Sequence, residues 1–209
     1  MHIYAFGSIC RGDISTTSDI DLLAIVDGHD GRFNPNDYSI YSYRRIQQIW
    51  SEGNPFAWHL ASESKLLFTS DQTDFLTSLG VPSRYGRAGE DCLKFYTLFS
   101  QAKRSMETDP STTTFDLSMV FLAIRNFATC FSLGVLGQPD FSRRSAIRIG
   151  GYSLQIEKQA FACFERARIL STRAIGPPIN ETDTATAKKA FPEIQAWMER
   201  LLREVRDHD

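Results

Sequence analysis

Residues 7–26 read GSICRGDISTTSDIDLLAIV, and the reading of this stretch decides the fold. Its second half carries Ile20, Leu22, Leu23, Ala24, Ile25 and Val26 in a nearly unbroken apolar run, the pattern of a buried β-strand. Asp19 and Asp21 interrupt the start of that run. Residues two apart in a strand point the same way, so the two carboxylates project together while Ile20 and Leu22 face the other side. Two like charges held that close repel each other and raise one pKa. A divalent cation removes the conflict. Mg²⁺ takes carboxylate oxygens and substrate phosphates, so this pair beside a phosphate site would form a chemically sensible cradle.

The phosphate site is expected just upstream. Gly7 and Ser8 follow directly on HIYAF, residues 2–6, which reads as a strand. Glycine permits close backbone approach, and a helical turn after it would aim N–H groups at an anion. Ser8 adds a hydroxyl donor. Arg11 lies one turn further on, where it could meet a phosphate oxygen or form a structural salt bridge, and Gly12 lets the chain turn away. Ten residues separate Ser8 from Asp19, room for a short helix and a turn before the metal-bearing strand.

Taken in order, GS, then RG, then SDIDLL resembles the nucleotidyltransferase superfamily to which DNA polymerase β belongs. In style it is similar to the minimal bacterial nucleotidyltransferases and to the aminoglycoside (kanamycin) nucleotidyltransferases. The likeness is specific over residues 3–26 and general beyond them. It implies that Gly7 and Ser8 hold a triphosphate, that Asp19 and Asp21 bind Mg²⁺ in a two-metal site, and that a helical domain follows to shape the acceptor site. It also implies the reaction: an acceptor hydroxyl attacks the α-phosphorus of an NTP, with ATP the expected donor, and pyrophosphate leaves.

The superfamily usually places a third carboxylate on a neighbouring strand. The corresponding strand here is DYSIYSY, residues 37–43, whose interior holds no acid. Asp37 stands at its entrance and is the candidate third catalytic carboxylate. Glu63, in HLASESKLLF, is the weaker candidate, read as lying in a turn. If neither serves, the chain is instead a catalytically weakened nucleotide-binding or partner-binding module, of a toxin–antitoxin-like or regulatory kind. Only six residues precede Gly7, so a helix that commonly precedes the first strand has no counterpart. The sheet edge is then expected to be covered by the helical domain or by a second subunit, making a homodimer a candidate.

The chain changes character near residue 80. Short extended runs, at residues 2–6, 20–26, 38–43 and 65–69, precede it, with one helix expected between Tyr43 and Leu66 from the spacing of Ile46, Ile49 and Trp50. Beyond GVPSRYGRAGED, residues 80–91, the period is helical. The stripes are Cys92, Phe95, Tyr96 and Phe99; Leu117, Val120, Phe121, Ile124 and Phe131; Phe161, Phe164 and Leu170; and Ile194, Trp197, Met198, Leu201, Leu202 and Val205. IGPPINETD reads as a linker before the last. The expected architecture is α+β: a small mixed-sheet nucleotidyltransferase domain over residues 1–82, then an α-helical bundle over 90–209.

Within the helical half, AIRNFATCFSLG and DFSRRSAIR resemble helical domains found beside minimal nucleotidyltransferases, HEPN domains among them. Some of those cleave RNA through an Arg and a His on one helix. Arg125 and Asn126 are present, but Cys130 stands where the histidine is expected, which disfavours RNA cleavage. Arg143, Arg144 and Arg148 are candidates for contacting nucleotide or an anionic acceptor, against the plainer reading of a solvated helix start. His59 reads as a packing or surface histidine beside Trp58.

Composition bounds the rest. Of 209 residues, 42% are hydrophobic and 12% aromatic, ample for a core. With 23 Lys+Arg against 25 Asp+Glu, nothing predicts a whole-surface attraction to nucleic acid or to an anionic membrane. Cys10, Cys92, Cys130 and Cys163 include no CxxC pair and read as reduced thiols. No apolar run is expected to reach the roughly 18 residues a membrane span needs. The expected setting is cytoplasmic.

Overall fold

A computed structural model describes residues 1–13, 20–28 and 30–208. They form two compact units, Met1–Gly86 and Arg87–Asp209. The first is a small mixed sheet with helices and the second is helical, the α+β arrangement that the sequence predicts.

The first unit carries strands β1 (His2–Phe6), β2 (Asp21–Val26), β3 (Tyr38–Ser42) and β4 (Ser64–Thr69) in the order β3-β2-β1-β4. β1 lies antiparallel to both neighbours, and β2 and β3 run parallel. The sequence-predicted strand at Ile20 begins one residue later, at Asp21, and Ile20 is exposed. A single turn, α1 (Ser8–Arg11), follows β1. Tyr4, Phe6, Leu23 and Ile25 face one side of the sheet and pack on Ile46, Ile49, Trp50, Ala57 and Leu60. Ala24 and Val26 face the other side, against Phe33.

Where the sequence predicts one helix between Tyr43 and Leu66, the structure has two, α2 (Tyr43–Ser51) and α3 (Pro55–Glu63). The break falls at Gly53. Gly53 adopts φ +62°, and a Cβ there would fall 2.4 Å from the carbonyl oxygen of Arg84 and 2.5 Å from that of Ser83. Asn54 then caps α3, its side chain accepting from Phe56 N–H at 2.9 Å, with Pro55 at the first helical position. Because α3 runs through Glu63 and passes straight into β4, Glu63 ends a helix rather than occupying the expected turn. A short α4 (Phe75–Ser78) completes the unit.

The second unit contains α5 (Ala88–Thr108), α6 (Thr113–Gly134), α7 (Lys158–Arg173), α8 (Glu181–Lys189) and α9 (Phe191–Arg206). Its core is aromatic: Phe99 meets Phe191 at 5.9 Å between ring centres, Phe121 meets Phe161 at 6.1 Å, and Phe127 meets Trp197 at 5.2 Å. α8 corrects the reading of IGPPINETD as a linker alone. Asn180 accepts from Asp183 N–H at 2.9 Å while the Asp183 carboxylate accepts from Asn180 N–H at 3.1 Å, a capping box that starts a helix there.

A second correction concerns apolar length. Pro110–Gly134 is long and apolar enough to cross a membrane by length and composition, although 72% of its most apolar window is buried inside the protein. That burial fits the core helix of a bundle. Cys92, Cys130 and Cys163 are buried free thiols, and Cys10 is half-buried.

Candidate active site

The site is built where β1 ends. Phe6 pairs with Asp21 across the antiparallel ladder, so the residue after Phe6 lies against the Asp21 side chain. That residue is Gly7. Its φ of +75° is a conformation L side chains rarely adopt, and a Cβ there would come within 2.9 Å of Asp21 Oδ2 and 3.8 Å of His59 Cε1. Only glycine lets the turn after β1 pass this carboxylate without displacing it.

Gly7 also organises α1. Its carbonyl accepts from Cys10 N–H at 3.0 Å and Arg11 N–H at 3.3 Å, and Gly12 ends the turn in the left-handed conformation. The Gly7 N–H donates to the Glu63 carbonyl at 3.0 Å, and the Cys10 thiol donates to Ala5 O at 3.4 Å. Burial pushes that thiol's pKa up, which favours its neutral form. Ser8, the other predicted phosphate donor, opens α1 and is half-exposed.

Arg11 is engaged by carboxylates. Its Nη1 pairs with Glu63 Oε2, and its Nε lies 3.2 Å from Asp13 Oδ2. Glu63 Oε2 is also 2.9 Å from His59 Nε2, one helical turn earlier on α3. The salt-bridge reading of Arg11 is therefore realised in this structure. His59, read as a packing or surface residue, packs its ring edge-on against Phe6 at 5.6 Å and also meets the Glu63 carboxylate. Spacing of four on one helix would have linked His59 to Glu63, had the helix been read through to Glu63.

Strand pairing sets the candidate third carboxylate, Asp37, level with Asp21. β2 and β3 run parallel with Leu22 opposite Tyr38, so Asp21 and Asp37 occupy matching positions one residue before the paired segment. The NPND turn presents Asp37: its N–H donates to Asn34 O at 3.0 Å, and Asn36 N–H donates to Asn34 Oδ1 at 3.0 Å. Asp21 and Asp37 line one recess of about 390 Å³, together with Ile20, Leu22, Pro35 and Ser39 among others. Glu63 is not among the residues lining it. Asp19 lies outside the described residues, and no group of three or more His, Cys, Asp or Glu that could hold a metal is gathered among the described ones. The two carboxylates present are hard oxygen donors beside a polar recess, a set that fits Mg²⁺ chemically.

In the helical unit the candidate residues have structural partners. Arg125 donates through Nη2 to Phe141 O at 2.9 Å and through Nε to Ser142 O at 3.4 Å, tying the loop after α6 to that helix. Cys130 is buried. Arg144 lies 3.7 Å from Glu165, and Arg148 lies 3.8 Å from Asp140.

Comparison with known proteins agrees with the first unit. Residues 2–79 match the family model of the nucleotidyltransferase domain. No curated protein matches the chain, and no solved structure does. The motif around Gly7 and Asp21, the sheet that joins them and this match give one conclusion: the N-terminal unit is a nucleotidyltransferase domain, consistent with the DNA polymerase β-like superfamily and its general transfer of nucleoside monophosphate groups.

Proposed function

We propose that the protein is a Mg²⁺-dependent nucleotidyltransferase that moves an NMP group from an NTP, ATP being the expected donor, to a hydroxyl of a small-molecule or protein acceptor. The observation that supports this reading is the close approach of Gly7 to Asp21, by which a phosphate-binding turn would lie directly against a metal-binding carboxylate. Asp21 and Asp37 would hold Mg²⁺ from adjacent strands, with Asp19 as the remaining ligand. Mg²⁺, when bound, would neutralise phosphate charge and polarise the α-phosphoryl group. The Gly7 turn and Ser8 would seat the triphosphate, Arg11 would offset charge on it, and Asp37 would accept the acceptor hydroxyl's proton.

The test is calorimetric titration of a non-hydrolysable ATP analogue with and without Mg²⁺, on the unmodified protein and on Asp21→Asn. The expected result is Mg²⁺-dependent binding that drops by about a hundred-fold in the variant, as for removal of one ligand from a charged site. Binding that is indifferent to Mg²⁺ and to Asp21→Asn would overturn the assignment.

One observation favours a second reading, nucleotide binding without turnover. Asp37 sits on an exposed turn at the mouth of β3 rather than within the strand. Transfer of labelled AMP from ATP to a pool of hydroxyl-bearing acceptors separates the two readings.

A further inference from the structure

One residue touches both ends of the α1 turn. The Glu63 carbonyl takes the Gly7 N–H at the start of the turn, and the Glu63 carboxylate takes the Arg11 guanidinium at its end. The same oxygen, Oε2, is held from behind by His59 Nε2 at 2.9 Å. Glu63 and His59 are only 14% and 15% exposed, whereas Asp13, the other partner of Arg11, is 52% exposed. Glu63 is thus an anchored carboxylate flanked by the Arg11 guanidinium and the His59 imidazole, and Asp13 is a solvated contact that water can replace.

Arg11 spends Nη1 and Nε on these two acids. Among the described residues its Nη2 makes no hydrogen bond or ion pair, so the N–H groups of that nitrogen remain available for a phosphate oxygen. A guanidinium already fixed through two nitrogens loses less rotamer freedom when an anion engages the third. Arg11 also stands one helical turn, about 5.4 Å, beyond Gly7, the residue packed against Asp21. With one phosphate at Gly7 and Asp21, that offset would set Arg11 against the phosphates further along a triphosphate.

We propose that Glu63, held by His59, is the positioning residue that presents Arg11 to the β- and γ-phosphates, and that this brace makes the site select nucleoside triphosphates over monophosphates. The inference rests on the nucleotidyl-transfer reading and adds to it the residues that read the leaving group.

The experiment titrates a non-hydrolysable ATP analogue and AMP, each with Mg²⁺, into the unmodified protein, Glu63→Gln, Arg11→Gln and the double variant, with thermal unfolding recorded for each. Glu63→Gln keeps the shape of the side chain and removes its charge. The expected result is roughly ten-fold weaker binding of the ATP analogue, as for loss of a charge-assisted hydrogen bond, with AMP affinity unchanged. In the Arg11→Gln background Glu63→Gln should add nothing, because the two residues act as one unit. His59→Gln should give a smaller loss of the same kind.

Equal losses for the ATP analogue and AMP would mean a packing role and overturn the brace. Additive effects of the two substitutions would also overturn it, as would tighter ATP-analogue binding by Glu63→Gln, which would mark Glu63 as a competitor of phosphate. Unmodified protein that binds no ATP analogue overturns the transferase reading and the brace together. Unmodified protein that binds it, with discrimination unaltered in Glu63→Gln, overturns the brace alone.

Discussion

The two units use charge in opposite ways. In the first, Arg11 joins Asp13 and Glu63, Glu63 meets His59, and His59 and Asp21 border a glycine on which a Cβ would meet the Asp21 carboxylate. In the second, Arg166 pairs with Asp183 at the start of α8, Arg144 with Glu165 across a loop, and Arg148 with Asp140. Those pairs fasten loops and helix ends around an aromatic core. The contrast teaches how to separate a site from a scaffold when both are rich in ions. Charges that converge on a restricted backbone position prepare a binding place, and charges that pair one-to-one along helix ends hold connections.

This contrast can be broken experimentally, most forcefully in the scaffold. Phe127 is fully buried on α6 and its ring lies 5.2 Å from that of Trp197. Phe127→Ala should cost about 3–5 kcal/mol in urea denaturation through lost burial and the cavity left behind. Below the unfolding transition, affinity for the ATP analogue should remain that of the unmodified protein. A large affinity loss in the folded variant would show that the helical unit contributes to the nucleotide site.

A smaller stability effect with a larger functional one is expected at Gly7. Gly7→Ala places a Cβ against Asp21 Oδ2 and forces a non-glycine residue to φ +75°. The expected cost is about 1–3 kcal/mol of stability, with loss of Mg²⁺-dependent ATP-analogue binding. Unchanged binding would remove the Gly7–Asp21 approach as the organising feature of the site.

The smallest effect concerns Glu165. Burial raises its carboxyl pKa, while the nearby Arg144 and Arg143 oppose the rise. A group whose folded pKa lies above its unfolded value holds its proton more tightly in the native state. The stability this confers is fully present below the unfolded pKa and is lost as pH rises through the raised folded value. Urea denaturation between the two values should therefore show stability falling with rising pH, and Glu165→Gln should flatten that slope. An identical slope in the variant would assign the response to other groups.

Much of this was legible in the chain because it is encoded locally. β1 and β2 are short apolar runs bounded by glycine or polar residues, and residues such as Val120, Phe121 and Ile124 recur at helical spacing wherever a long helix formed. The split between α2 and α3 was not legible in the same way. Gly53 is tolerated inside many helical patterns, and its necessity comes from the carbonyls of Ser83 and Arg84, some thirty residues away. α8 escaped because its stripe is weak, with Ala187 its only buried residue, although the N-x-x-D capping box was readable in principle.

The sequence by itself set out the candidate chemistry: a glycine and a serine after a strand, an arginine three residues further on, and two aspartates separated by a single residue, all within residues 7–21. These are short-range patterns, in which spacing dictates direction. Only the tertiary structure decided which further residues join them. Strand pairing brought Asp37 to the position matching Asp21, and the continuation of α3 into β4 carried Glu63 and His59 to the Gly7 turn. Register and helix ends depend on contacts between segments distant in sequence, and no local spacing specifies them.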